Sequence, residues 1–266
     1  MTETFLYKKK KIRYKIRGTD HEKTIVLLHG FLESMKIWNK LEKVLDKKFR
    51  VISIDLPGFG KSELVQSIQT MDLMADVVNK LLMQLKVKKC MMVGHSMGGY
   101  VSLAFADRFS SKLKGLVLYH SHAMGDTPEA KVNRNRAIKA IMSQHGNFIY
   151  HFIPDLFAPE NVEYFEREIK ELRQGAMKVP PENVIAALEG MKLRTDKLSV
   201  LANANYPVMF IAGKQDSRIP LESIIDQASL PKHSEIIILG DVGHMGFIEA
   251  RGKTDKIIQS FADRVL

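Results

Sequence analysis

Short apolar runs alternate with amphipathic segments along most of this chain. Runs such as Ile25-Val26-Leu27-Leu28 and Ile236-Ile237-Ile238-Leu239 are typical of strands covered on both faces of a sheet. Helical periodicity falls between such runs, which predicts an α/β fold with a mostly parallel, doubly wound sheet. The predicted strands lie near residues 3–8, 12–17, 24–29, 50–54, 90–93, 115–119, 207–212 and 235–239, and the helices near 36–46, 70–86, 98–109, 219–229 and 251–264.

The alternation breaks between about residues 122 and 205, where amphipathic segments rich in Glu, Lys, Arg and Met replace any strand pattern. This composition predicts a helical cap inserted after the sixth strand of an eight-stranded sheet. We therefore expect a core domain formed by residues 1–121 and 206–266, with the cap over residues 122–205. A chain of 266 residues fits one such domain better than two independent ones.

Charge and composition narrow the expected partners and location of the protein. The net charge is +10, but Lys and Arg are spread along the chain, and only Lys8 to Lys11 form a run, between two predicted edge strands. Nucleic-acid binding is therefore not expected. The N-terminus lacks an apolar signal core and no apolar run approaches the length of a membrane span, so we expect a cytoplasmic protein without membrane insertion. The expected oligomeric state is a monomer or a homodimer. The single cysteine, Cys90, lies in an apolar strand and is expected to be a buried core residue.

The fifth predicted strand runs directly into Gly94-His95-Ser96-Met97-Gly98-Gly99, which opens a helical pattern. A serine on a sharp strand-to-helix turn adopts strained backbone geometry, so small residues are needed two positions before and two after it. Ser96 is therefore a candidate nucleophile. Gly and Ser are common in turns, and the motif alone also fits a structural connection.

A serine nucleophile needs a base and a carboxylate that orients the base. In an open parallel sheet such groups gather after the carboxyl ends of strands. Asp216 follows the seventh strand and His244 the eighth, which gives the chain order Ser, Asp, His. Asp126, after the sixth strand, is the alternative acid. His120 and His122 follow that same strand, and a structural hydrogen-bonding role is expected for them.

The oxyanion of a tetrahedral intermediate needs preorganised donors. On this architecture they are the N–H after the nucleophile and one from the loop after the third strand. The candidates are the N–H groups of Met97 and Phe31, with Gly30 giving the loop room to turn.

Together these motifs resemble the α/β-hydrolase family of serine esterases and lipase-like enzymes, over essentially the whole chain. The matching pieces are Leu28-His29-Gly30-Phe31, Asp55-Leu56-Pro57-Gly58-Phe59-Gly60-Lys61-Ser62, Gly94 to Gly99, Gly213-Lys214-Gln215-Asp216 and Gly243-His244-Met245. The resemblance implies Ser96 as nucleophile, His244 as base, Asp216 as acid, Phe31 and Met97 as oxyanion donors, a structural role for Asp55, and no metal or organic cofactor.

The resemblance implies a carboxylic ester hydrolase that acts on small to medium acyl or aryl groups through an acyl-enzyme. The same triad serves C–C hydrolases, lactonases, perhydrolases and some thioesterase-like members, and a ligand-sensing protein could use the scaffold. Relatives with an aspartate nucleophile are disfavoured, since Ser96 occupies that position. A phosphate-binding loop at Gly60-Lys61-Ser62 is also disfavoured, because Asp55 stands where its first glycine would be.

The expected substrate is a small ester-like molecule, held by apolar side chains around the serine. The candidate contacts are Phe31, His95, Met124 and Met245. Phe and Met residues of the cap could add to this surface, although most are expected to pack the cap on the sheet.

Overall fold

The computed structural model describes residues 2–266, and within them eight strands form one sheet. All eight predicted strands are present, each within about two residues of its predicted position. They are β1 (Thr2–Tyr7), β2 (Lys10–Arg17), β3 (Thr24–Leu28), β4 (Arg50–Ile54), β5 (Cys90–His95), β6 (Leu113–Tyr119), β7 (Val208–Gly213) and β8 (Ser234–Leu239).

The strand order is β1-β2-β4-β3-β5-β6-β7-β8. β1 and β2 form an antiparallel hairpin in which Tyr7 pairs with Lys10, and β2 is antiparallel to β4; every later pairing is parallel. The hairpin turns at Lys8 and Lys9, which both have positive φ, as a two-residue turn of this hand requires. β2 lies inside the sheet, so the expectation that both hairpin strands are edges is wrong: β1 alone is the edge there.

Ten α-helices surround the sheet in the described part of the chain, residues 2–266. Those outside the insertion are α1 (Asn39–Leu45), α2 (Met71–Gln84), α3 (Met97–Phe109), α8 (Leu221–Ala228), α9 (Gly246–Glu249) and α10 (Arg251–Val265). The side chain of Thr70 accepts a hydrogen bond from the N–H of Leu73 and so caps α2. Within residues 2–266 no helix combines the length and the apolar character that a membrane crossing would require.

The core lies on both faces of the central strands. Every residue of β3, β5 and β7 is buried, which explains their continuous apolar runs, and Cys90 is buried among them as expected. β8 differs: it is the other edge of the sheet, and Ile238 is 43% exposed. The expectation that its isoleucine run is covered on both faces is therefore wrong, because an apolar run does not show how many neighbours a strand has.

Between β6 and β7 the chain forms helices α4 (Pro128–Phe152), α5 (Glu166–Ala176), α6 (Pro181–Lys192) and α7 (Leu198–Ala202). We call this stretch the helical insertion. α4 is kinked at Gln144, whose φ of −148° and ψ of 73° are not helical. The kink redirects the second half of α4, so that Phe152 contacts Phe31 of the loop after β3 at a ring-centroid distance of 5.9 Å. The insertion thus reaches the carboxyl end of the sheet.

Candidate active site

Ser96 is the turn residue between β5 and α3, with φ of 49° and ψ of −117°. A non-glycine residue in this conformation is strained and persists only where its surroundings hold it. Its N–H donates to the carbonyl of Tyr119 at 2.9 Å, and its carbonyl accepts from Ser121 Oγ at 2.8 Å. Tyr119, the last residue of β6, and Ser121, two residues beyond it, therefore hold the backbone of the turn on both sides.

The two glycines that flank the turn have no room for a side chain. A Cβ on Gly94 would lie 2.4 Å from the carbonyl oxygen of Gly98, and a Cβ on Gly98 would lie 2.3 Å from that of Leu28. Both contacts are with backbone atoms, which cannot move away cheaply. The sequence expectation of small residues two positions before and after Ser96 thus has a steric cause in this structure.

Replacing Gly98 by alanine should destabilise the protein by about 3 kcal/mol, because the new methyl group forces β3 and α3 apart. The matched control is Gly175→Ala in α5, where an added Cβ meets nothing within 4 Å and helix propensity should add about 0.5–1 kcal/mol. Urea unfolding of both variants checks this. Equal midpoints for the two variants would contradict the steric account.

Asp216 and His244 lie together beyond the ends of β7 and β8. His244 Nδ1 lies 2.8 Å from Asp216 Oδ2, while Asp216 Oδ1 accepts the N–H groups of Arg218 at 2.8 Å and Ile219 at 3.0 Å. Burial alone would raise the pKa of Asp216, but the electrostatic attraction of His244 and hydrogen bonds from the imidazoles of His120 and His244 hold that pKa well below its usual range. Asp216 is thus an ionised acceptor that fixes the Nδ1–H tautomer of His244.

The second imidazole belongs to His120, directly after β6. Its φ is 47°, its side chain is fully buried, and its Nδ1–H donates to Asp216 Oδ2 at 3.0 Å. Burial lowers the pKa of His120 to about 4, so the ring is neutral at pH 7. Sequence reasoning expected a structural hydrogen bond here, but not its partner, because nothing local links His120 to a residue 96 positions away.

His120, Asp216 and His244 also offer atoms within 4.8 Å of one another, a spacing that a metal ion could bridge. The atoms concerned are already joined by the two hydrogen bonds to Asp216 Oδ2, which account for the cluster.

The buried His120 should make stability depend on pH. Between pH 6.5 and about 4 the unfolded chain binds a proton at this histidine while the folded chain does not, so the unfolding free energy falls as the pH falls. The loss attributable to His120 reaches about 3 kcal/mol at pH 4. His120→Asn keeps a donor, tolerates positive φ and removes the titration, so its stability should fall less over this range. Urea midpoints at pH 7 and pH 4 measure the difference; parallel profiles for the two proteins would refute it.

A second buried pair, Glu33 and His95, connects three loops. Glu33 Oε2 accepts the N–H of Gly30 at 2.5 Å and lies 3.0 Å from His95 Nδ1, while His95 Nε2 lies 3.0 Å from the carbonyl of His244. Burial would lower the pKa of His95, yet the charge and hydrogen bond of Glu33 raise it above its usual value. Both ring nitrogens of His95 face acceptors, which requires a doubly protonated imidazolium, and the ring joins the Gly30 loop, the Ser96 turn and the His244 loop.

Sequence reasoning missed Glu33, since a lone glutamate four residues after a strand carries no distinctive pattern. It also expected substrate contacts at His95 and Met245. Both side chains are fully buried, and both ring nitrogens of His95 are occupied by protein acceptors. These two expectations are corrected: His95 and Met245 offer no accessible surface to a substrate.

The candidate oxyanion donors keep their N–H groups free. Within residues 2–266, neither Phe31 N–H nor Met97 N–H has a hydrogen-bond partner in the protein. Met97 begins α3, where the helix dipole favours negative charge. Ser96 Oγ and His244 Nε2 likewise make no hydrogen bond within the described chain, and the His95 ring, adjacent to Ser96, lies 5.1 Å from the His244 ring. The two N–H groups, the serine hydroxyl and the imidazole nitrogen that have no hydrogen-bond partner therefore belong to loops that contact one another.

The remaining candidates lie elsewhere. Asp126 is held by ion pairs to Arg134 and Arg194 and makes no hydrogen bond to His244, so it is not placed to orient that imidazole. Met124 lines a narrow pocket beside Tyr100 and Arg194, apart from the Asp216–His244 pair. Asp55 accepts the N–H groups of Met35 at 2.8 Å and Lys61 at 3.0 Å, in keeping with its expected structural role.

The fold and this arrangement define a class: α/β proteins with a serine turn after the fifth strand and an acid–histidine pair after the seventh and eighth. Comparison with known proteins identifies the family to which the fold belongs. The model of the alpha/beta hydrolase fold family matches residues 23–159, just over half of the chain. The protein belongs to the alpha/beta hydrolase fold family.

Three similar proteins illustrate the range of activities named within this family. A malate-bound thermophilic esterase from Thermogutta terrifontis superposes with a TM-score of 0.91 at 30% identity, covering 100% of this chain and 99% of that one. A 2-hydroxy-6-oxononadienedioate/2-hydroxy-6-oxononatrienedioate hydrolase of Escherichia coli K12 is 25% identical over 256 residues, 91% of this chain and 88% of its own. The acetyltransferase component of an acetoin cleaving system from Pseudomonas putida is 27% identical over 241 residues, 89% of this chain; the match spans only 62% of that relative.

Proposed function

We propose that this protein is a serine hydrolase that cleaves carboxylic esters through an acyl-enzyme. The observation that carries the proposal is the hydrogen bond of 2.8 Å between His244 Nδ1 and the ionised Asp216. His95 connects the loop of His244 to the strained Ser96 turn. A histidine held by a carboxylate on Nδ1 presents an unprotonated Nε2, the acceptor that a serine nucleophile requires.

In the proposed reaction, Ser96 Oγ attacks the ester carbonyl carbon while His244 Nε2 takes its proton. The resulting oxyanion accepts hydrogen bonds from the free N–H groups of Phe31 and Met97. Collapse of the intermediate breaks the bond to the alcohol oxygen, which receives the proton from His244. A water molecule, deprotonated by His244, then attacks the acyl-enzyme, and release of the acid restores Ser96.

We further assign residues 122–205 as a cap over this site, within a core of residues 1–121 and 206–266. The contact of Phe152 with Phe31 supports the assignment, since it brings the insertion against the loop of a proposed oxyanion donor. A soluble enzyme of this kind would need no metal or organic cofactor.

C–C bond hydrolysis is the second candidate, because the Escherichia coli relative named above cleaves a dienedioate-type substrate by its name and matches most of this chain. The same serine, histidine and acid would serve either reaction. The two are separated by comparing kcat/KM for p-nitrophenyl butyrate with that for a 2-hydroxy-6-oxo-dienoate of similar size. The proposal expects the ester to be the better substrate.

The proposed acyl-enzyme is detectable by mass spectrometry of the intact protein. Wild-type protein mixed with p-nitrophenyl butyrate and quenched in acid within milliseconds should gain the mass of one butyryl group, together with a matching burst of p-nitrophenolate. Folded protein that neither releases p-nitrophenolate nor gains this mass would contradict the proposed function and would favour a non-catalytic, ligand-sensing role.

A further inference from the structure

A cavity of about 440 Å³ lies between α4, on both sides of its kink, and the loop that carries Asp216 and Arg218. The kink at Gln144 sets the direction of the second half of α4, where Phe148 and Phe152 form the apolar wall of the cavity. The polar side chains that line it are Ser143, Gln144, Asn147, His151, Asp155 and Arg218. Its size suits a small organic ligand.

Arg218 is the feature of this cavity that points to a ligand. Its guanidinium lies 4.8 Å from the centre of the Phe152 ring and donates no hydrogen bond within residues 2–266. Its ion-pair partner, Asp155, is 3.7 Å away, beyond hydrogen-bond distance, and the Asp155 side chain is 71% exposed. Arg218 therefore presents a fork of unused, partly desolvated donors, the arrangement that matches a planar carboxylate in a bidentate pair.

The position of Arg218 links the cavity to the proposed chemistry. Its backbone N–H donates to Asp216 Oδ1 at 2.8 Å, and the Phe152 ring beneath its guanidinium contacts the Phe31 ring. A molecule that fills the cavity would therefore contact Arg218 in the loop of the proposed catalytic acid, and only the Phe152 ring would separate it from Phe31, a proposed oxyanion donor.

We infer that Arg218 binds a carboxylate at the far end of the acyl group, so that the preferred substrates are half-esters of short dicarboxylic acids. The inference rests on the proposed ester hydrolysis. Asp155 competes for the same guanidinium in the free enzyme, and a bound carboxylate would replace it. The alternative explanation is that Arg218 and Asp155 merely fasten the insertion to the core, as Ser217 Oγ does by donating to the Asp155 carbonyl at 2.6 Å.

The two explanations predict different effects of replacing Asp155. The measured quantity is the ratio of kcat/KM for monoethyl adipate to that for ethyl hexanoate, a neutral ester of the same chain length. Arg218→Gln should lower this ratio about 10- to 100-fold, the value of a charge-assisted hydrogen bond. Asp155→Asn should raise it, because the competing carboxylate is gone. Arg167→Gln removes a positive charge at an exposed site and should leave the ratio unchanged.

A fastening role would lower kcat/KM for both esters alike in Arg218→Gln and in Asp155→Asn, with no change in the ratio, and that result would overturn the inference. A wild-type ratio below one, with ethyl hexanoate the better substrate, would also overturn the inference.

Binding of glutarate, measured by calorimetry, separates this inference from the proposed function because it needs no turnover. We expect heat of binding for the wild type, tighter binding for Asp155→Asn and none for Arg218→Gln. Equal glutarate binding by wild type and Arg218→Gln would overturn the inference even if both esters are hydrolysed. Inactivity towards both esters with Arg218-dependent glutarate binding would instead overturn the ester hydrolase, and the carboxylate site at Arg218 would stand.

Discussion

Ser96→Ala should lower kcat for p-nitrophenyl butyrate by about 10⁵- to 10⁶-fold, the loss expected when the nucleophile of a serine triad is removed. Ser96 Oγ makes no hydrogen bond within the described residues, so its removal leaves no buried partner unsatisfied. The variant should therefore unfold at the same urea concentration as the wild type, to within about 0.5 kcal/mol.

Ser96→Gly is the matched control for backbone strain. Glycine adopts a φ of 49° without steric cost, so this variant should be equally inactive but more stable than the alanine variant by about 1 kcal/mol. A folded Ser96→Ala protein that retains even a tenth of the wild-type kcat would remove Ser96 from the role of nucleophile.

Asp216→Asn should lower kcat by about 10⁴-fold. The asparagine can still accept the N–H groups of Arg218 and Ile219 through Oδ1, but then its amide faces His244. An amide N–H pointing at His244 Nδ1 makes that nitrogen the acceptor and places the ring proton on Nε2, where it blocks transfer from serine. The pH dependence of kcat, together with the urea midpoint, separates this chemical effect from a loss of folded protein.

Asp126→Asn tests the other acid that the chain offers. Asp126 is paired with two arginines and not with His244, so its replacement should cost stability, because the arginines lose their partner, and leave kcat of the folded fraction within about threefold. A large loss of kcat in Asp126→Asn, with a small one in Asp216→Asn, would reverse the assignment.

The strand pattern and the principal candidates were readable from the sequence for a physical reason. Buried parallel strands need continuous apolar runs, and side chains that follow their carboxyl ends meet at one edge of the sheet. Asp216 and His244 are 28 residues apart in the chain, yet the pairing of β7 with β8 places them side by side. Topology alone was therefore enough to group them.

The supporting contacts were not readable, because they depend on three-dimensional packing between distant segments. Glu33 pairs with His95 across 62 residues, and His120 reaches Asp216 across 96. Neither glutamate nor histidine shows by its neighbours whether it will be buried in an ion pair or exposed. The incorrect expectation for β8 has a similar cause, since an edge position is a property of the sheet and not of the strand.

Covalent labelling of the wild-type protein with a fluorophosphonate tests the central claim most directly, because this probe reacts with an activated serine whatever the natural substrate. Mass spectrometry should find one adduct per chain, on Ser96, with none on Ser96→Ala and slow labelling of Asp216→Asn. Folded wild-type protein that stays unmodified, or that carries the adduct on another residue, would contradict the assignment of Ser96, His244 and Asp216 as the catalytic set.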